Sequence, residues 1–197
     1  MKKIDASLIL GLIFALIIGN MNCFARECEN VSTKVLRLHI LANSDSEFDQ
    51  ELKLKVRDSI LNNTADRLVA DNIKSAENIA KMSLDDIKGI AEKTVKENGY
   101  DYSVSVEFVN MFFDTRYYDD VTMPAGNYDA VRVTIGKGEG HNWWCVLYPP
   151  LCVSPAIAED YDEISVCTEP KIKAKFKIYE WYQETKNFIS NLFSENT

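Results

Sequence analysis

Three groups of residues in this sequence have types and spacings that could do chemistry. His141, Cys145 and Asp129 could supply a thiol nucleophile, a base and an orienting carboxylate, if folding brought them within hydrogen-bond reach. Against this, Cys145 sits inside the apolar run Trp143-Trp144-Cys145-Val146-Leu147, where a cysteine packs as an inert small hydrophobe. His39, Asp45 and Asp49 could bind a metal or exchange protons. The chain holds only 2 histidines, with no HExxH or comparable ligand spacing. Asn43 and Asp45 also fall where a strand ends, a place where short polar side chains satisfy turn and cap hydrogen bonds. Gly136-Lys137-Gly138-Glu139-Gly140 resembles a phosphate cradle only superficially. A dinucleotide site needs GxGxxG between a strand and a helix, and a P-loop ends in Lys-Ser/Thr. These glycines lead into a strand-like run instead, which predicts a hairpin connection. The residues therefore assign no catalytic set, no metal and no cofactor.

Binding is the better-supported role. Adjacent strand residues face opposite ways, so one of Trp143 and Trp144 should lie away from whatever the other packs on, and an outward tryptophan marks an interaction surface. Arg37 and His39 fall on the polar side of the first strand, and Asn43 and Asp45 in the loop that follows it. Loops on a rigid scaffold are where sites are usually placed. The candidate partner-binding residues are thus Arg37, His39, Asn43, Asp45, Trp143 and Trp144. The charges of Lys53, Lys55, Arg57 and Asp58 are accounted for by a helix's solvent face. With 30 acidic residues against 22 basic ones and a net charge of −8, the chain is a poor ligand for nucleic acid or anionic lipid.

The elements that must position these residues are legible from periodicity. Val35 to Leu41 alternates, with Leu36, Leu38 and Ile40 on one side, and predicts a strand. Ser46 with Asp49 is a capping pattern before a helix from about Glu47 to Asn63, its stripe running through Phe48, Leu52, Leu54, Val56, Ile60 and Leu61. Ser75 opens a short helix carrying Ile79 and Met82. Ser83 with Asp86 opens another, with Ile87, Ile90, Ala91 and Val95 inward and Gly99 as its stop. Strands follow from Tyr102 through Phe113, from Tyr128 to Ile135 and over Trp143 to Leu147, while Asp114 to Gly126 reads as an extended loop. The acidic stretch Glu159 to Glu163 reads as solvated loop. Lys171 to Lys177 alternates lysine with apolar residues and predicts an edge strand. Glu180 to Phe193 predicts a closing helix with Trp181, Phe188, Ile189 and Leu192 inward. The fold class is α+β: a mixed, largely antiparallel sheet of about five strands, with helices inserted after the first strand and a C-terminal helix.

The ends and cysteines bound the compartment. Met1-Lys2-Lys3 precedes an uncharged apolar run, Ser7 to Gly19, within the roughly 7–15 residues of a signal-peptide core and short of the ~20 that span a bilayer. Residues 1–25 are expected to be a signal peptide cut after Ala25 or a retained N-terminal anchor over Ala6 to Phe24, with lipidation of Cys23 a third course. Residues 26–197 are expected to form a single extracytoplasmic domain, touching membrane only through the N-terminal segment. Cys145 and Cys152 flank Pro149-Pro150, so that a turn could join them; the other reading is two reduced, buried thiols. No CxxC spacing occurs, which argues against zinc.

At four blocks the sequence resembles a known family. LRLHILANSD (Leu36 to Asp45), LKLKVRD (Leu52 to Asp58), PAGNYDAVRVTIGKGEGHNWWCVLYPPLC (Pro124 to Cys152) and KFKIYEW (Lys175 to Trp181) look like stage II sporulation protein R of endospore-forming bacteria. The resemblance implies a signal made in the forespore and exported to the space between forespore and mother-cell membranes. There it activates the membrane-embedded aspartic protease that processes pro-sigma-E. It implies a ligand with no chemistry of its own. An extracytoplasmic peptidoglycan or peptide hydrolase using His39/Asp45 or His141/Cys145 is the alternative from a different class, and it requires those side chains to converge in one cleft.

Overall fold

The computed structural model describes residues 11, 12, 15, 19, 24–64, 70–118, 121–149 and 173–194. Its elements run α1 (24–32), β1 (Leu36–Leu41), α2 (Glu47–Thr64), α3 (Ile73–Met82), α4 (Leu84–Glu97), β2 (Val104–Phe113), β3 (Arg116–Tyr118), β4 (Val121–Met123), β5 (Gly126–Ile135), β6 (Asn142–Tyr148) and α5 (Lys173–Ser194). They group into two compact units. Thr33–Phe112 with Asn127–Tyr161 makes one, and Met1–Ser32, Phe113–Gly126 and Asp162–Thr197 make the other.

The first unit is built on a four-stranded sheet in the order β2-β5-β1-β6. β1 runs parallel to β5, with Leu36 opposite Asp129 and Leu41 opposite Thr134. It runs antiparallel to β6, with Leu38 opposite Cys145 and Leu41 opposite Asn142. β2 lies antiparallel to β5: Asn110 bonds Asp129, Glu107 bonds Arg132, and the Ser103 carbonyl receives the Gly136 N–H. The sheet is mixed and mainly antiparallel, and the α+β class holds. A parallel β1–β5 pair needs a long crossover, and α2, α3 and α4 fall within it.

Those helices supply the core. Leu36, Leu38 and Ile40 pack with Val131, Val133 and Ile135, and with α2 through Leu52, Val56 and Ile60. Ala76 and Ala80 of α3 and Ile87, Ala91 and Val95 of α4 complete the cluster. Small alanines on α3 and α4 allow close approach. The helix ends follow local chemistry. Ser46 accepts the Asp49 N–H at 3.2 Å as cap of α2. The cap of α3 is Asn72, which accepts from the Ser75 N–H at 3.0 Å, so Ser75 is inside the helix. Gly99, at φ +84, ends α4 in the left-handed region that disfavours a Cβ.

Further sequence expectations are corrected by the structure. Phe48 is 70% exposed. The inward face of α2 is Asp49, Leu52, Lys53, Val56 and Ile60, and Phe48 lies roughly 100° round the helix from Asp49. The segment read as a loop holds a ladder, β3 against β4, with Arg116 opposite Met123 and Tyr118 opposite Val121. The lysine-rich edge strand is instead the start of helix α5 from Lys173 onward, with Lys171 and Ile172 outside the described residues. Lysine and alanine are good helix formers, and the buried Phe176, Tyr179 and Gln183 carry a spacing of three and four that outlasts the short alternation.

In the second unit α1 packs on α5. Phe24 meets Phe176 edge-on at 5.0 Å and Tyr179 at 5.9 Å, and Gln183 donates to the Tyr179 hydroxyl at 2.6 Å. Trp181, expected inward, is 71% exposed. The side chains of Phe188, Ile189 and Leu192 lie outside the described residues, as does the acidic stretch Glu159 to Glu163.

Candidate functional site

The loop after β1 and the hairpin between β5 and β6 are clipped together by side chains distant in sequence. Asn43 sits at the centre. Its Oδ1 accepts the Lys137 N–H at 3.1 Å, and its Nδ2 donates to Asp49 at 2.9 Å. The Asn43 carbonyl accepts from the Glu139 N–H at 3.3 Å, and the Ala42 carbonyl from the Gly140 N–H at 3.0 Å. Asp45 then receives the His141 N–H at 2.6 Å and pairs with the His141 ring through Nδ1. From below, Lys53 reaches up through the fold to donate to the His141 carbonyl at 2.8 Å.

The glycines make this contact geometrically possible. A Cβ on Gly140 would stand 2.2 Å from the Ser44 carbonyl oxygen, and one on Gly136 would stand 2.2 Å from Asn43 Oδ1. Gly136 and Gly138 also hold φ of +60 and +66. The glycine-rich turn is therefore a hairpin, as its flanking strands require. Its backbone N–H groups are directed at the β1 loop.

Beneath the loop lies a buried carboxylate. Asp49 is 3% exposed; its carboxylate accepts from Ser44 and Asn43 and is hydrogen-bonded with Tyr102 and Ser46 as well. Burial pushes its carboxyl up, but these hydrogen bonds to the charged form outweigh burial and hold it below the ordinary value. Lys53 is 4% exposed and is lowered by burial, with Asp45 opposing. Asp49→Asn would place amide protons where Asn43 or Ser44 already donates. It should lower stability by about 2 kcal/mol, measured as a drop in the urea midpoint at unchanged slope. An unchanged midpoint would show that the network does not brace the loop.

The sequence candidates separate into exposed and buried sets. Asp45 and His141 are exposed at the surface, with side chains 55% and 79% accessible. Phe48, which the sequence placed in the core, is exposed on the first turn of α2, three residues after Asp45. Arg37 and His39, read as the polar side of the strand, are 0% and 3% exposed. They shape the fold from inside. The Arg37 guanidinium lies 5.1 Å from the Tyr128 ring centroid. His39 stacks on Trp144 at 4.0 Å with rings 6° apart. Burial drives the His39 imidazole down to about 4, against a side-chain hydrogen bond with Asn142 that raises it, with Arg132 and Arg37 adding to the fall. Trp143 and Trp144 do face opposite ways. Both are half-buried: Trp143 packs on the core cluster with the Arg57 guanidinium 4.3 Å from its ring centroid.

Neither enzyme-like arrangement converges among the described residues. Asp45 pairs with His141, and His39 is buried against Trp144. Cys145 is 5% exposed and disulfide-bonded, so it has no thiol to offer. Its bonding partner, and Cys152 with it, lies outside the described residues. His141 and Cys145 are also four residues apart on an extended strand, about 13 Å. Cys28, buried in α1, is not part of a disulfide. Asp129, the third of that set, bonds Asn110 instead.

Comparison with known proteins places this site in context. The family model for stage II sporulation protein R matches residues 32–158. That span holds the whole clip and leaves out α1 before Ser32 and all of α5. Stage II sporulation protein R of Bacillus subtilis (strain 168) is 42% identical over 134 residues, covering 65% of this chain and 59% of that protein. The chain thus matches about three-fifths of the length of that relative. No solved structure matches.

Proposed function

Since this chain belongs to the stage II sporulation protein R family, we propose that it is a secreted signal exported from the forespore. In the space between the forespore and mother-cell membranes it activates the membrane-embedded aspartic protease that processes pro-sigma-E. It acts as a ligand, and the protease supplies the chemistry. The observation that carries this reading is the clip itself. A stretch of surface around Asp45, Phe48, Lys137 and His141 is fixed by hydrogen bonds from both sides, and a preorganised surface loses little entropy on binding. An exposed aromatic on such a surface is the kind of anchor that dominates interface energetics.

Activation by a ligand requires tighter binding to the active arrangement of the protease than to the inactive one. A tenfold shift needs only about 1.4 kcal/mol of difference, which one well-placed aromatic supplies. Arg37, His39 and the two tryptophans then act by holding the sheet that carries the loop, while Asn43 fixes the loop's shape. Asp45, Phe48 and His141 make the contact.

The test is pro-sigma-E processing in sporulating cells carrying Phe48→Ala, Asp45→Ala or His141→Ala. Each variant is first checked for normal export and thermal stability. Phe48→Ala and Asp45→Ala should cut processing at least fivefold at equal protein level. Normal processing in all three would remove this surface from the mechanism. Normal processing in a strain lacking the whole chain would remove the activating role itself.

A further inference from the structure

The clip leaves one surface of the molecule unexplained. On α5, Ile178, Trp181 and Tyr182 are 54%, 71% and 53% exposed. With Thr185 they stand at the i, i+3, i+4, i+7 spacing of a helix stripe. This stripe faces outward, because Phe176, Tyr179, Glu180 and Gln183 are the residues that α5 buries among those whose side chains are described. Thr185 takes little polarity into it, since its hydroxyl donates back to the Trp181 carbonyl at 2.8 Å. The stripe forms one wall of a groove of ≈ 590 Å³ whose other wall is Ala25, Arg26 and Glu29 of α1.

Chain continuity limits what can cover it. Ala25, which lines the groove, follows Gly19, the end of the apolar run Ser7 to Gly19, by six residues. Six residues reach about 9 Å as helix and about 21 Å fully extended. Gly11, Leu12, Ala15 and Gly19 are helical and exposed, Leu12 at 63%. Wherever that apolar run enters a bilayer, Ala25 must lie within this distance of the surface, with the α5 stripe across the groove from it. Tryptophan and tyrosine favour the membrane–water boundary, where an apolar ring and a polar tip are both satisfied. Arg26 and Lys177 stand exposed beside the stripe, and long cationic stems of this kind can lie along the apolar boundary with their charges in water.

We infer that Ile178, Trp181 and Tyr182 form a membrane-interface contact that holds α1 and α5 against the lipid surface into which the N-terminal segment inserts. This rests on the membrane-targeting reading of that segment and adds that the segment is retained. The contact is driven by apolar area. A net charge of −8 gives no long-range attraction to anionic lipid, so binding by this stripe should be nearly independent of salt.

The test uses the full chain in vesicles of phosphatidylcholine, compared with its Trp181→Phe variant. Trp181 is exposed, so the variant keeps the fold. Shallow-brominated lipid should quench a substantial part of native tryptophan emission, and the quenched part should vanish in Trp181→Phe. It should persist from low to high salt. Equal quenching in the two proteins, including none in either, would overturn the contact. So would a blue shift of Trp181 that grows with protein concentration and ignores lipid, which would make the stripe an interface between copies. Pro-sigma-E processing is a separate readout, so normal processing beside a failed quenching result would sink this inference and leave the signalling role standing.

Discussion

Gly140→Ala should destabilise the protein by about 3 kcal/mol and abolish the proposed activation of pro-sigma-E processing, although it adds a single methyl group to a surface hairpin. The added Cβ would lie 2.2 Å from the Ser44 carbonyl oxygen and 2.5 Å from the Ser44 carbonyl carbon. Both are backbone atoms, so no side chain can swing aside. The hairpin must lift from the β1 loop, and lifting it breaks the Gly140–Ala42, Glu139–Asn43 and His141–Asp45 hydrogen bonds together. Each is worth about 1 kcal/mol net, and Asn43 and Lys53 would lose acceptors and donors they cannot replace. Other glycines serve as controls. Gly99→Ala meets nothing within 4 Å but sits at φ +84, so it carries only backbone strain of about 1 kcal/mol. Gly89→Ala lies within α4 with nothing near it and should stabilise by about 0.5–1 kcal/mol. Thermal or urea unfolding of the three variants checks the order. If Gly140→Ala falls no further than Gly99→Ala, the hairpin and loop are not rigidly joined.

That ranking separates what the residues announced from what they concealed. β1, β5 and β6 were readable because their cores alternate: Leu38 and Ile40 pair in register with Val131 and Val133 on one side and with Cys145 and Trp143 on the other. The Ser46 cap and the Gly99 stop are local chemistry and were legible for the same reason. The joining of Asn43 to Lys137 spans 94 positions, and no local pattern records such a contact. The glycines carried the signal, since several glycines in five residues is more than a hairpin turn requires. The surplus reports a close backbone approach.

Arg37 and His39 show a different limit. Alternation distinguishes two faces of a strand, and it is natural to assign the polar one to water. That inference fails when both faces are buried, as they are along β1, where only Leu41 is not fully covered. A guanidinium and an imidazole were accepted into the interior because each meets an aromatic ring there, Tyr128 and Trp144 respectively. The same error, with opposite sign, concerns α2 and α5. Phe48 and Trp181 are large and apolar, so they were placed inside, yet the helix phase set by Asp49, Leu52 and Val56 and by Phe176 and Tyr179 turns them outward. In each case phase, fixed by neighbours, decided burial over residue type. It is those two outward aromatics that now carry the proposed contacts.

The buried imidazole gives the sharpest solution test. Stability should fall as pH drops from about 6.5 to about 4, and His39 should account for the loss in that window. The sign follows from proton counts. The folded His39 titrates at about 4 and the unfolded one near 6.5, so between these values the unfolded chain binds a proton that the folded chain does not. Stability therefore rises with pH through the window, is fully present above about 6.5, and is lost as pH falls through the folded value. Each full pH unit carries at most about 1.4 kcal/mol. The whole loss should be about 2 kcal/mol once local relaxation and solvent screening are allowed for. Asp45 and Asp49 act lower down. Both are held below the ordinary carboxylate value, Asp45 chiefly by its hydrogen bonds with His141 and Asp49 by hydrogen bonds that outweigh burial. Their contribution is present above about 4 and disappears beneath it. His39→Phe keeps an aromatic ring to stack on Trp144 and removes the titration. Its urea midpoint should be nearly flat from about pH 6.5 to about 4.5 and then fall with the carboxylates. A slope in the variant equal to that of the native protein would mean that another group titrates there, and that the interior of the sheet takes up a proton without resistance.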